Sequence, residues 1–590
     1  MKAQFRWWLI GVFALAARLA AQDVRSEPAV ELPTYTVTET RELPPPEKWS
    51  YARIEGFEVL SSASDRATKR LVQDFQRFYQ AIGFVWPGVQ RPAAVPAALI
   101  ICGRGGKFEK FMPAGEQRPD RAMASLSLRE REQSAIVIDY EAKVINLRTP
   151  EGTAAASAVT TDADGNSGFN GDPGFEVDAY RQLYREYIRF LLAAVQPRPP
   201  AWLEEGLAQI FMAMEITDRR ITVGQVEDPN LISAEQAALN QLGTGGTAPQ
   251  TDRDFNAALA RRALLPMEEL LSVKADSPGA QNPLGSTWAK QSYAFVHWGL
   301  YGNLGKNQRA FVTFLRRLER EPLSEALFKE CFKKSYKDMA LEIRGYIEFT
   351  VHKVAGVEAK KGEKLPEPPP FELREATPAE IGRLQGDTLR LAGHPAEAHL
   401  ALIAPYIRGE RDPQLLAALG LLERSRGDNA RARKFLEAAA GAKAVRPRAY
   451  LELARLRLAD AMAQPAASGQ LSVEQTAAVL QPLFTARAQP PPLPEIYETI
   501  AEAWSACSVT AGAPHLAVID EGVRLFPRNV GLVYQDAALK VRAGLVAEAD
   551  ALINLGLRVA PDSAARGRFE ALKAKLPPVP PPAAKPAAKS

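Results

Sequence analysis

Hydrophobic positions along this 590-residue chain follow two different periods, and the change from one to the other divides it into regions. Between Tyr51 and Arg148 short apolar runs surround one long amphipathic stretch. Phe57-Glu58-Val59-Leu60 predicts a strand, and 64–82 predicts a helix with Leu71, Phe75, Phe78 and Tyr79 on one face. Ala97-Ala98-Leu99-Ile100-Ile101-Cys102 is apolar throughout, the pattern of a buried strand. Two further runs, 135–140 and 144–147, are separated by Glu141-Ala142-Lys143 and predict a hairpin. Residues 150–173, rich in Thr, Ala, Gly, Asp and Asn, read as a loop.

From 175 to 350 the period becomes helical. Val177, Tyr180, Leu183, Tyr184, Tyr187, Leu191 and Ala194 form one apolar stripe. A second helix starts after Pro199-Pro200 and turns Leu203, Leu207, Ile210, Phe211 and Met214 inward. Further helices are expected at 266–272, 287–302, 306–319 and 335–352. The stretch 356–371, with Leu365-Pro366-Glu367-Pro368-Pro369-Pro370, reads as a Pro-rich linker.

Beyond it lies a repeat. Gly393, Ala396 and Ala398 recur 34 residues later as Gly427, Ala430 and Ala432, and Ile519, Gly522, Leu525 and Pro527 recur as Ile553, Gly556, Val559 and Pro561. That period, with small residues at helix contacts, resembles the tetratricopeptide repeat and implies stacked antiparallel helix pairs over 372–575. Residues 461–472 and 488–494 interrupt the period. The end, 576–590, is almost entirely Pro, Ala and Lys and reads as a disordered tail.

Composition sharpens this picture at the termini. Residues 1–21 combine Lys2 and Arg6, an apolar run over 7–17 and Leu19-Ala20-Ala21, the layout of a secretory signal peptide. The run is too short to span a bilayer, and no other segment is long enough. The expected product is exported, periplasmic or extracellular, with 22–50 as an extended leader. Net charge is +4, and removing Lys2, Arg6 and Arg18 leaves +1, which argues against nucleic acid or an anionic membrane as the main partner. Cys102, Cys331 and Cys507 are odd in number and without pattern, and read as small hydrophobes rather than a disulfide framework.

The chemistry is concentrated in Tyr184-Arg185-Glu186-Tyr187-Ile188-Arg189 and Pro200-Ala201-Trp202-Leu203-Glu204-Glu205-Gly206-Leu207-Ala208. A zinc peptidase of this layout reads H-E-x-x-H in the first helix, with its third ligand the Glu of a W-L-x-E-G-L-A helix. Gln291-Ser292-Tyr293-Ala294 matches the downstream Q-S-x-A helix of that layout. Over 51–355 the chain thus resembles the secreted, peptidase-MA-like branch of the gluzincins. The resemblance implies an α+β, thermolysin-like metalloprotease scaffold, a small mixed sheet plus a helical subdomain, followed by an all-α tetratricopeptide-type solenoid. By position, Glu186 corresponds to the general base and Glu205 to the third ligand. Both histidine positions are arginine, Arg185 and Arg189, and a guanidinium has no lone pair to give a metal. The implied site is therefore degenerate, with zinc lost and no other cofactor.

Of the five histidines, His297 alone falls on a segment that could approach the site, and one imidazole with Glu186 and Glu205 is a poor zinc set. Two arginines at i and i+4 facing an old metal cleft would need carboxylate partners, and Glu205 is the expected one. The alternative is that both are solvated surface residues. The leading expectation is a catalytically inactive peptidase-like region joined to repeats that bind a protein or peptide. An active hydrolase built on Glu186 and Glu205, and a structural envelope protein, are the alternatives.

Overall fold

A computed structural model describes residues 31–33, 47–89, 94–103, 107–115, 124–130, 132–140, 179–193, 198–226, 263–274, 286–466 and 469–577, with short pieces at 159–161, 167–169, 174–175, 195, 231–232 and 280. The signal-peptide and tail expectations fall outside these residues, apart from Leu576 and Pro577. The architecture is mixed α+β, with a small N-terminal sheet and a long helical C-terminal region.

Strands β1 (Ser50–Ile54), β2 (Phe57–Ser61), β3 (Ala97–Cys102), β4 (Ser125–Arg129), β5 (Ser134–Asp139) and β6 (Arg374–Glu375) form the sheet in the order β6-β1-β2-β3-β5-β4. Strands β2, β3 and β5 are parallel, with Val59 opposite Leu99 and Leu99 opposite Ile136. Strands β1, β4 and β6 are antiparallel to their neighbours. Parallel strands buried on both faces carry apolar residues at every position, because successive side chains point to opposite sides. Here Phe57, Val59, Leu99, Ile101, Ile136 and Ile138 enter one core. Leu60, Ala98, Ile100, Cys102, Ala135 and Val137 enter another.

The first core is covered by α1 (Asp65–Val85) and α2 (Ala179–Ala193), and extends into α3 (Ala201–Met212), α4 (Met267–Ser272), α5 (Thr287–Leu300), α6 (Gln308–Leu318), α7 (Glu325–Phe332) and α8 (Tyr336–Glu348). The second core is sealed by the front of the C-terminal region. There α9 (Pro378–Leu391), α10 (Pro395–Ile407), α11 (Pro413–Ser425), α12 (Asn429–Gly441) and α13 (Pro447–Ala463) begin a row of antiparallel pairs. The row continues through α14 (Val473–Arg487), α15 (Pro494–Ala506), α16 (Ala513–Leu525), α17 (Val530–Arg542), α18 (Val546–Val559) and α19 (Ser563–Lys573). The recurring Gly393 and Gly427 sit in the turns of the first two pairs at φ +83° and +86°, a left-handed conformation that favours glycine.

Buried ion pairs fix this second interface. Arg383 of α9 forks onto Glu58 of β2 at 3.0 and 2.6 Å, and Tyr51 donates to the same carboxylate at 2.8 Å. Arg446, at the start of α13, forks onto Asp387 of α9 at 2.8 and 3.1 Å and donates to Gln133 beside β5. Farther along, Ala94 N–H donates to Pro490 at 2.8 Å, and Arg528 donates to the Glu321 carbonyl. The C-terminal region thus touches the α+β region at several points along its length.

Four features differ from the sequence reading. The hairpin partner of β5 is β4, upstream, whereas 144–147 lies outside the described residues. Inside the expected loop 150–173, two short strands at 159–161 and 167–169 pair with each other. The Pro-rich stretch 356–371 is not a free tether: the strand Ala355–Glu358 pairs with the strand Arg220–Val223, Gln76 donates to the Pro369 carbonyl at 3.1 Å, and β6 then joins the main sheet. Of the leader 22–50, Pro33 is buried and accepts from the Tyr406 hydroxyl at 2.8 Å. Cys102 and Cys507 are buried, Cys331 is partly so, and all three are free thiols. Among the described residues no helix is long and apolar enough to cross a membrane.

Removing the Arg383 guanidinium leaves Glu58 buried without its main partner. Arg383→Ala is expected to cost about 3–5 kcal/mol in chemical denaturation. The fragment 372–575 made alone is expected to aggregate in size-exclusion chromatography, because it bares the apolar surface that Leu60, Ile100 and Val137 cover.

Candidate functional site

The two helices that carry the suspected motif are placed by their apolar sides. On α2, Leu183, Tyr187, Ile188, Leu191 and Leu192 pack on the sheet, with Tyr187 edge-on to Phe75 at 5.2 Å. On α3, Trp202 is fully buried against Phe295 and Phe311. Gly206 marks the crossing with α5: a Cβ there would lie 2.4 Å from Val296 Cγ2 and 2.7 Å from the Ser292 carbonyl. Any side chain would push the two helices apart, so the glycine of W-L-E-E-G-L-A has a packing reason.

Arg185, Glu186 and Arg189 of α2 and Glu205 of α3 come together as one buried cluster, each no more than 6% exposed. Arg185 forks onto Glu205, Nε to Oε1 at 3.2 Å and one terminal nitrogen to Oε2 at 2.6 Å. Its other terminal nitrogen donates to Glu186. Arg189 lies 3.6 Å from the same Glu186 oxygen and donates to the Ala280 carbonyl at 2.9 Å.

Glu204, which the motif contains without an assigned role, and four residues absent from the sequence reading of the site complete it. Gln209 donates to Glu205 at 2.8 Å and to the Ala289 carbonyl at 2.9 Å, and Lys290 donates to Gln209 at 3.3 Å. Arg129 of β4 donates to Glu204 at 2.9 Å and to the Arg189 carbonyl at 3.1 Å. Arg198 forks onto Glu204 at 2.7 and 3.1 Å. Gln209 stands one turn after Glu205, a spacing visible in the sequence. Arg129 and Lys290 come from distant segments and gave no local signal.

Burial alone would raise the Glu186 pKa, but Arg189 and Arg185 outweigh it and hold the carboxyl below its usual range. Glu204 is likewise held low, burial being outweighed by the Arg198 hydrogen bond and the Arg129 charge. Burial pulls the Arg129 guanidinium down to about 10, against the raising effect of Glu204. Burial also opposes the charge on Arg185, yet Glu205 and Glu186 raise its pKa.

The residues present do not fit a zinc ion. Both oxygens of Glu205 are taken by a guanidinium, and Arg185 and Arg189 can only donate. The gap lined by Arg129, Arg189, Ala201, Glu204, Glu205 and Ala280 leaves no room for a water molecule. His297, on α5, has both ring nitrogens engaged: Nε2 donates to the Gly224 carbonyl at 3.0 Å, which leaves Nδ1 to accept from the Tyr346 hydroxyl at 2.7 Å. Burial drives its pKa down to about 3, so the ring is neutral at ordinary pH. Among the described residues no group of three or more His, Cys, Asp or Glu side chains is arranged to hold a metal.

No family model and no curated protein matches the chain. Among solved structures it is similar to one described as "MamA RS-1 ArsTM double mutant", at 16% identity, over 31% of this chain and 95% of that one, with a TM-score of 0.24.

Arg185→Met is expected to destabilise the fold by about 3–5 kcal/mol in urea denaturation, since it strands Glu205 and Glu186 in the interior. The double change Arg185→Met with Glu205→Leu is expected to cost much less than the sum of the single changes. Glu186 and Glu204 have folded pKa values below the ordinary 4.5, so their stabilisation is complete above that value and lost as pH falls through the folded values. The urea midpoint is therefore expected to be flat near neutrality and to drop below about pH 4.5, a drop weakened in Glu204→Gln.

Proposed function

We propose that this protein is an exported binding protein built on a gluzincin-like scaffold that has lost its metal and its peptidase activity. The observation that carries this reading is the bidentate Arg185–Glu205 pair. It joins the helix of the former H-E-x-x-H motif to the helix of the third ligand, and so does the bridging that zinc does in an active relative. Glu186, at the position of the general base, is buried and ion-paired with Arg185. The helix pairs that follow are read as tetratricopeptide-type repeats, and they supply the surface for a protein or peptide. Several first helices of the pairs, or the loops leading into them, already contact the α+β region. We assign the partner to the outward side of the second helices, where Leu400 of α10 and Phe484 of α14 are exposed.

Elemental analysis of the purified native chain, with a panel of peptide substrates, tests the first half. No bound zinc and no cleavage are expected, and stoichiometric zinc would overturn the reading. Arg185→His with Arg189→His is expected to gain zinc affinity at least about tenfold, because an i, i+4 histidine pair then faces Glu205. No gain would show that the inherited geometry is absent.

A further inference from the structure

We infer that an apolar tip of the α+β region, formed by Leu304, Phe349 and Val351, docks on an anionic lipid surface. Two segments build it. Gly302 bridges His352, the Asn303 N–H donates to the Val351 carbonyl at 2.8 Å, and the Lys353 N–H donates to the Tyr301 carbonyl at 3.0 Å. Side chains alternate along such a pairing. His352 turns inward beside the His297 ring, and Val351 and Lys353 turn outward. Opposite them Asn303, Leu304 and Gly305 are all left-handed, with φ of 52°, 56° and 81°. A leucine rarely adopts that conformation, and here it holds Leu304 59% exposed. Phe349, which ends α8, is 78% exposed, and Val351 55%. Isolated exposed hydrophobes are ordinary; three on two paired segments are a surface feature that needs a partner.

The charge around the tip selects that partner. Lys306, Arg309, Arg344 and Lys353 are exposed and make no ion pair among the described residues, and Glu348 is the one acid in 303–309 and 344–354. Apolar tips that enter the acyl boundary, with basic side chains at headgroup level, match an anionic bilayer. Each Lys or Arg near such a surface is worth roughly fivefold in partitioning. The whole-chain balance of +4 concealed this local excess.

The test is co-sedimentation of the full chain with vesicles of phosphatidylglycerol mixed with phosphatidylcholine, and with phosphatidylcholine alone. Every variant keeps the same N-terminus, so differences report the tip. The native chain is expected to prefer the anionic vesicles. Leu304→Gly with Phe349→Ser is expected to weaken that binding at least about tenfold, and Lys306→Glu with Lys353→Glu to abolish the preference. Glycine suits the left-handed turn, and an unchanged unfolding midpoint for Leu304→Gly separates lost docking from lost folding. Equal binding of native and tip variants overturns the inference. So does a tip-dependent association with another protein, or with a second copy, that leaves vesicle binding unchanged.

Discussion

A guanidinium remains charged wherever it is placed, so an arginine that leaves water must take a carboxylate or a carbonyl with it. This constraint organises both sides of the central sheet. On one side Arg185 ties α2 to α3 through Glu205. On the other, Arg383 ties α9 to β2 through Glu58, and Arg446 ties α13 to α9 through Asp387. Each pair is a two-pronged fork, which fixes orientation as well as distance. Hydrophobic burial brings these helices onto the sheet, and the forks determine how they sit.

The buried cluster around Arg185 is not electrically balanced by acids alone. Arg129, Arg185, Arg189, Arg198 and Lys290 face Glu186, Glu204 and Glu205. Neutral groups accept part of the excess: the Ala280 and Arg189 carbonyls and the Gln209 amide oxygen all receive hydrogen bonds from cations. A helix crossing as tight as the one at Gly206 leaves the cluster little freedom to rearrange. Its polar groups tie four elements together, β4, α2, α3 and α5.

Much of this was legible from local pattern. The 3.6-residue stripe of α2, the starts of α3 and α5, and the strands β2 and β3 follow directly from apolar spacing, because each is long or strongly patterned. Strand β4, Ser-Leu-Ser-Leu-Arg, has only two apolar positions and none of the continuous apolar run that marks β2 and β3, so the sequence pairs β5 with the apolar run downstream of it. The two-residue β6 gives no signal, and the stretch before it reads as linker for want of any apolar period. At the site, the pairing of Arg185 with Glu205 was reachable through the spacing of two motifs. The contributions of Arg129 and Lys290 were not, since they depend on contacts between segments far apart in the chain.

The shared second core has a consequence for biosynthesis. Glu58 waits for Arg383, 325 residues later, and Gln133 waits for Arg446, 313 residues later. Until those arginines have been synthesised, one whole side of a nearly complete sheet is bare. Local helices form quickly, but closing loops of this length is slow and leaves sticky intermediates exposed. The N-terminal half of the chain thus cannot cover its second core with its own residues, and that face closes only once the segment through Arg446 is present.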